Sequence, residues 1–140
     1  MTRKHLIIFP LLILIAILIL FYLNNIRENI LSKDKIIKTL ENFNTIDFKQ
    51  VLDFSWDTMY VFYPYSNAKD ILKKDGVNTY KYKFNIEYLD SIIMIAFVSE
   101  NKLVTYIELP RNYVQINSEH FLNFNITEAK FDVINKQIVF

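Results

Sequence analysis

The chain has 140 residues, 16 Lys and Arg against 15 Asp and Glu, a net charge of +1 at pH 7, and no cysteine. Near charge balance argues against a nucleic-acid binder, which needs a basic face to displace counterions, and against a polybasic lipid-surface domain. The absence of cysteine excludes a disulfide framework, a thiol nucleophile and a Cys-ligated metal, and a single Gly leaves no glycine-rich phosphate loop. What remains is a core held by bulk: 12 Phe, 9 Tyr and one Trp, each burying about 150–250 Å² when packed.

Residues 6–23, LIIFPLLILIAILILFYL, carry no charged side chain. As a helix they rise about 27 Å, close to the roughly 30 Å of bilayer hydrocarbon, so the run predicts a transmembrane anchor. No small-residue cleavage site follows in Phe21-Tyr22-Leu23-Asn24-Asn25-Ile26, which predicts retention as a signal anchor. Arg3, Lys4 and His5 favour a cytoplasmic N-terminus, opposed by Arg27, Lys33, Lys35 and Lys38 on the far side. Because long C-terminal domains translocate largely regardless of charge, the expectation is a single-pass cell-membrane protein with its C-terminal domain outside the cytoplasm. The expected organisation is a tail over 1–5, an anchor over 6–23, a helical segment over 24–44 and an α+β domain over 45–140.

Ile30, Ile36, Ile37, Leu40 and Phe43 recur at helical steps, with Ser32 as a candidate cap for a helix beginning at Lys33. From Thr45 the pattern becomes strand-like, with Ile46 and Phe48 alternating. Met59 to Tyr63 is apolar or aromatic on both faces and predicts a central strand, stopped by Pro64. Ser66 is a candidate cap for a short helix over 67–74, ended by Gly76, the one glycine, in a left-handed conformation. Tyr80, Tyr82, Phe84 and Ile86 alternate with polar residues and predict a strand. Residues 92–98 and 103–109 predict a hairpin whose turn uses Asn101 in place of glycine. Leu122, Phe124 and Ile126, then Phe131 and Val133, then 138–140, predict three more strands. The fold class expected is α+β, an N-terminal transmembrane helix followed by a small antiparallel-sheet domain with one or two helices.

No catalytic, metal or cofactor motif stands out, and none is expected. Asp47, Asp53 and Asp57 cluster around the first strands, where they read as turn formers and caps before they read as acid–base pairs. His120 has no neighbouring ligand-type residue, and Arg111 after Pro110 is a candidate for holding an anionic group. The aromatic set Tyr60, Phe62, Tyr63, Tyr65, Tyr80 and Tyr82 is mostly core, with strand alternation forcing some tyrosines outward as a contact strip. Trp56, Asp57, Tyr60, Tyr65 and Arg111 are therefore the candidate binding residues. The partners expected are the bilayer, through residues 6–23, and a membrane or envelope protein; nucleic acid is not among them. The rival reading is an envelope hydrolase or transferase using Asp53 or Asp57 with Tyr60, Tyr65 or Arg111, which requires those side chains to converge in one cleft.

The segment 54–66, FSWDTMYVFYPYS, resembles a motif of small bacterial envelope proteins, roughly Trp-Asp-x-x-Tyr-Val-Phe-x-Pro-Tyr-Thr/Ser. Residues 96–98 through 107–111 and 126–133 are also similar to that group, so the likeness spans most of 45–134 and departs between Tyr80 and Tyr88. The resemblance implies an envelope location. The group carries no assigned activity, so it implies no chemistry.

Overall fold

The computed structural model describes the backbone over 3–23, 28–115 and 120–140; within the first helix, side chains are described over 10–20. The chain is α+β, with four α-helices and two antiparallel sheets among the described residues: α1 (Arg3–Leu23), α2 (Ile30–Asn42), β1 (Thr45–Asp47), α3 (Phe48–Val51), β2 (Thr58–Phe62), α4 (Ala68–Lys74), β3 (Ile92–Ser99), β4 (Lys102–Pro110), β5 (Phe121–Asn125), β6 (Lys130–Ile134) and β7 (Gln137–Val139). The larger sheet has the order β4-β3-β2-β5 and the smaller β1-β6-β7. One sheet with one or two helices was the expectation from sequence; the second sheet forms because the short apolar segments at 45–47 and 130–139 pair with each other rather than with the long strands.

The expected membrane anchor is corrected. Among the described residues, no helix is long and apolar enough to cross a membrane. The single-pass topology, the signal-anchor assignment and the cell-membrane location all rested on that span and are withdrawn with it. Arg3, Lys4, His5 and Arg27, on which orientation was argued, and residues 21–26, on which retention was argued, lie outside the described side chains.

The large sheet is buried on both sides. Strand alternation sends Met59, Val61, Ile93, Ile95, Phe97, Ile107 and Leu109 to one face, and Tyr60, Phe62, Met94, Ala96, Val98 and Leu103 to the other. The first face packs against Ile36 and Leu40 of α2, Phe48 of α3, and Ile46, Val133 and Ile138 of the small sheet. Phe97 is the hub there, with ring centroids 5.3 Å from both Phe54 and Trp56 and 6.3 Å from Phe48. The second face packs against Ala68 and Leu72 of α4 and against Val77, Phe84 and Ile86 of the following segment. The predicted central strand is thus β2, paired on one side with β3 and on the other with β5.

Local chemistry sets the ends of these elements. Asn29, not Ser32, caps α2, accepting from the Ser32 amide at 3.0 Å, so the helix starts at Ile30 and Ser32 is buried inside it. Of the expected apolar stripe, Ile36 and Leu40 are buried, whereas Ile30 and Phe43 are exposed. Asp47 caps α3 through the Lys49 amide, which ends β1 one residue before Phe48 and turns that ring inward. Asn67, not Ser66, caps α4; the Ser66 hydroxyl sits instead against the carbonyls of Tyr63 and His120. Gly76, at φ +85°, closes α4, with Val77 N–H donating to Leu72 O and Gly76 N–H to Lys73 O, the paired bonds of a Schellman ending.

The strand expected over Tyr80–Ile86 does not form. Its backbone bonds are local turns, with Tyr82 N–H donating to Thr79 O and Tyr88 N–H to Asn85 O, and a 3-10 turn covers Asn85–Glu87. The period-two pattern here comes from Phe84 and Ile86 plugging the second face of the sheet, not from a ladder. The two tight hairpins each use a pair of left-handed residues, Glu100 and Asn101 between β3 and β4 and Asn135 and Lys136 between β6 and β7. Both suit primed turns, whose twist matches the strands.

Phe97→Ala is expected to cost about 3–5 kcal/mol, the usual range for a large aromatic removed from a packed core, whereas Tyr80→Ala, at an exposed position, stays within about 0.5 kcal/mol. Urea denaturation of the two variants measures this; a loss under 1 kcal/mol for Phe97→Ala would remove the ring from its place as hub.

Candidate functional site

Each residue singled out from the sequence has a definite place, and most are consumed by structure. Trp56 is buried against Phe97 in the first core. Asp57 bridges two turns: its Oδ2 accepts from the Glu100 amide at 2.8 Å and its Oδ1 from the Thr58 hydroxyl at 2.9 Å. Asp53 lies exposed at the end of α3 and pairs with Lys35 of α2 at 2.7 Å, and that bonded ammonium holds its carboxyl below the usual range. Asp47 is the α3 cap. Among the described residues, no group of three or more His, Asp or Glu side chains could hold a metal ion.

Tyr60 points the other way from Trp56, into the second core, and donates to Asp75 Oδ2 at 2.9 Å. Its phenol is pushed up to about 12, by burial first and then by the bond to Asp75, with the charges of Asp75 and Asp57 adding to the effect. The structure therefore brings Asp57 and Tyr60 within electrostatic reach of each other, but in a sense that keeps the phenol protonated. A proton acceptor at neutral pH needs the opposite shift. Arg111 stands at the far end of β4 in a separate groove, and Tyr65 is on the surface beyond β2. The convergence in one cleft that an enzyme built from Asp53, Asp57, Tyr60, Tyr65 and Arg111 requires is not present among the described residues.

The tyrosines split between core and surface, though not by strand alternation, since no strand forms over 80–86. Tyr60 and Tyr63 are buried and Tyr82 is half-buried, whereas Tyr65 is 65% exposed and Tyr80 86%. Tyr88, at 73%, joins them, with Leu89 beside it. All three exposed rings belong to the layer of residues 63–90 that covers the second face of the sheet. The layer is tied together by Tyr65 N–H to Ile86 O, Lys69 N–H to Glu87 Oε1 and Thr79 Oγ1 to Lys69 O. Beside Tyr80 a groove of about 390 Å³ is lined by Asn78, Tyr80, Lys81, Tyr82, Lys102 and Leu103. Among the described residues its lining includes two lysines and no carboxylate.

Sequence reasoning missed Glu108. In Ile107-Glu108-Leu109 it reads as the solvent-facing residue of an alternating strand, yet it is only 9% exposed. Glu108 Oε2 accepts from Asn85 Nδ2 at 3.2 Å, and Oε1 is buried with no hydrogen-bond partner. Glu28 stands beside it, paired with Lys33 at 2.9 Å and accepting from the Glu108 backbone amide at 3.3 Å. Asn29 N–H donates to Tyr106 O, so the chain leading into α2 lies along the outer edge of β4. Burial pushes the Glu108 carboxyl above the usual carboxylate range; the Asn85 bond opposes this and the Glu28 charge adds to it.

Comparison with protein families, with characterised proteins and with solved structures finds no match to this chain.

Glu108 binds its proton more tightly in the folded state than in the unfolded chain. Its contribution to stability is therefore fully present below the ordinary value of 4.5 and is lost as pH rises through the higher folded value. Glu108→Gln, which removes the charge and keeps the shape, is expected to melt higher than the parent at pH 7.5 and to lose that advantage at pH 4. Thermal melts at the two pH values check this; equal destabilisation at both would show that the ionised carboxylate is not a liability in the fold.

Proposed function

We propose that this chain is a non-catalytic protein-binding module, and that it meets its partner with the tyrosine-bearing outer side of the 63–90 layer. The observation that carries this reading is the exposure of Tyr65, Tyr80 and Tyr88 on one layer, in a chain whose candidate acid–base groups are taken up by caps, turns and ion pairs. Tyrosine supplies large, rigid contact area at a small entropic cost and is enriched where proteins meet. The groove beside Tyr80 adds a chemical preference. With Lys81 and Lys102 on its walls and no carboxylate lining it, it suits a partner segment that presents an acidic side chain. Complementary charge of this kind steers encounter and selects among partners more than it adds affinity.

The layer is also suited to the task mechanically. Its irregular backbone is held by Phe84, Ile86, Leu72 and Val77, all buried against the sheet, so the exposed rings stand on a fixed base. A fixed base reduces the ordering cost of association.

A photo-crosslinking residue at position 80 is expected to trap one discrete partner in cells, and the same residue at Lys49, exposed on α3 outside the layer, to trap none. Tyr65→Ser, Tyr80→Ser and Tyr88→Ser together should abolish the product without lowering the melting temperature, and Lys81→Glu with Lys102→Glu should weaken it on the order of tenfold or more. Products of equal yield at 80 and 49, or a product indifferent to the tyrosines, would set the reading aside.

A further inference from the structure

A second groove, of about 540 Å³, lies where β3 begins and β4 ends, and shares no lining residue with the tyrosine side. Its walls are Ser91, Arg111, Asn112, Val114, Gln115 and Gln137. Among the described residues that is one guanidinium, one hydroxyl and three carboxamides, with no carboxylate.

Three segments distant in sequence are locked into this arrangement by backbone bonds. Arg111 N–H donates to Ser91 O at 2.9 Å and Val114 N–H to Arg111 O at 3.2 Å, forming the 3-10 turn Arg111–Tyr113 directly after Pro110. Gln115 N–H donates to Ile138 O at 2.9 Å, and the Gln137 side chain donates to Asn112 O at 3.0 Å, tying β7 to the same turn. Among the described residues the ion pairs are Lys33–Glu28 and Lys35–Asp53, so Arg111 has no carboxylate of its own. Its one side-chain bond is a long one, Nη1 to the Asp90 carbonyl at 3.4 Å. A guanidinium offers five N–H donors in a fixed fork, so most of its donor capacity is uncommitted among the described residues.

We infer that this groove is a binding site for a small carboxylate ligand with neighbouring amide groups, such as the carboxyl end of a peptide. The planar fork of Arg111 matches the two oxygens of a carboxylate in a bidentate pair. A single positive charge on a lining whose other described residues are neutral matches a monoanion, and leaves a phosphate dianion half compensated. The carboxamides of Asn112, Gln115 and Gln137 each offer both donor and acceptor, which is what a peptide unit next to the carboxylate needs.

The test uses the full chain and three probes: N-acetyl-glycyl-glycine as the free acid, the same compound as its C-terminal amide, and inorganic phosphate, each followed by backbone amide NMR shifts. The acid is expected to give saturable shifts centred on Ser91, Arg111–Gln115 and Gln137, at least tenfold tighter than the amide or phosphate. Arg111→Gln should weaken the acid at least tenfold at unchanged melting temperature. Gln115→Glu, which places a like charge in the groove, should do the same and serves where the first variant is poorly folded. No saturable binding of the acid, equal binding of the amide, tighter binding of phosphate, or an acid affinity that survives both substitutions would each overturn the assignment.

Discussion

The antiparallel pairing of β2 with β3 is the interaction on which the rest of the molecule depends. Residues 59–62 and 93–98 are buried without a break, so neither strand has a solvent face, and each face needs its own cover. A fully buried large side chain contributes about 1.5–3 kcal/mol, and uncovering either face would expose several at once. On the first face the cover is regular, α2 and the small sheet; on the second it is α4 followed by a chain of turns. The first cover meets the sheet with aromatic rings arranged around Phe97, the second with a mixture of Leu72, Val77, Phe84 and Ile86.

That asymmetry decides where binding surface is available. Regular elements spend their polar groups on capping and ladders, as Asp47, Asn29 and Asn67 do. The layer over 63–90, α4 and the turns after it, adds no strand to the sheet, and in it Tyr65, Tyr80 and Tyr88 stand exposed while Phe84 is core. The carboxylates that looked available for chemistry are the ones the turns need most. Asp57 holds the β3–β4 turn through the Glu100 amide, and Asp47 caps α3 through the Lys49 amide. In this fold polar side chains near the sheet are structural, and the groups left free lie in grooves at its margins.

Much of the fold was legible where local chemistry and tertiary packing agree. The four consecutive buried residues of β2, the Asn101 turn and the left-handed Gly76 follow from the run, the turn residue and the helix end alone. Agreement fails over 80–86, where a period of two records which side chains reach the sheet beneath rather than a paired strand. It fails again at Ser32 and Ser66, good caps by type that are out-competed by Asn residues placed where the chain actually turns. The apolar run over 6–23 reads as a span by length and hydropathy, and no helix among the described residues is long and apolar enough to cross a membrane. Glu108 and the Arg111 groove were not legible as environments, because each depends on segments that only the fold brings together: 28–33 and 85 around Glu108, and 91, 111–115 and 137 around the guanidinium.

Native-state hydrogen exchange tests the central place of the β2–β3 pair most directly. Amides of Tyr60, Val61, Met94, Ile95 and Phe97 are predicted to exchange only through global unfolding, with an opening free energy equal to that from denaturant melts. Those of Tyr82 and Tyr88, bonded only within local turns, should exchange through smaller openings. Exchange of the β2 and β3 amides at free energies well below the global value, or no slower than those of the 80–88 turns, would contradict the account.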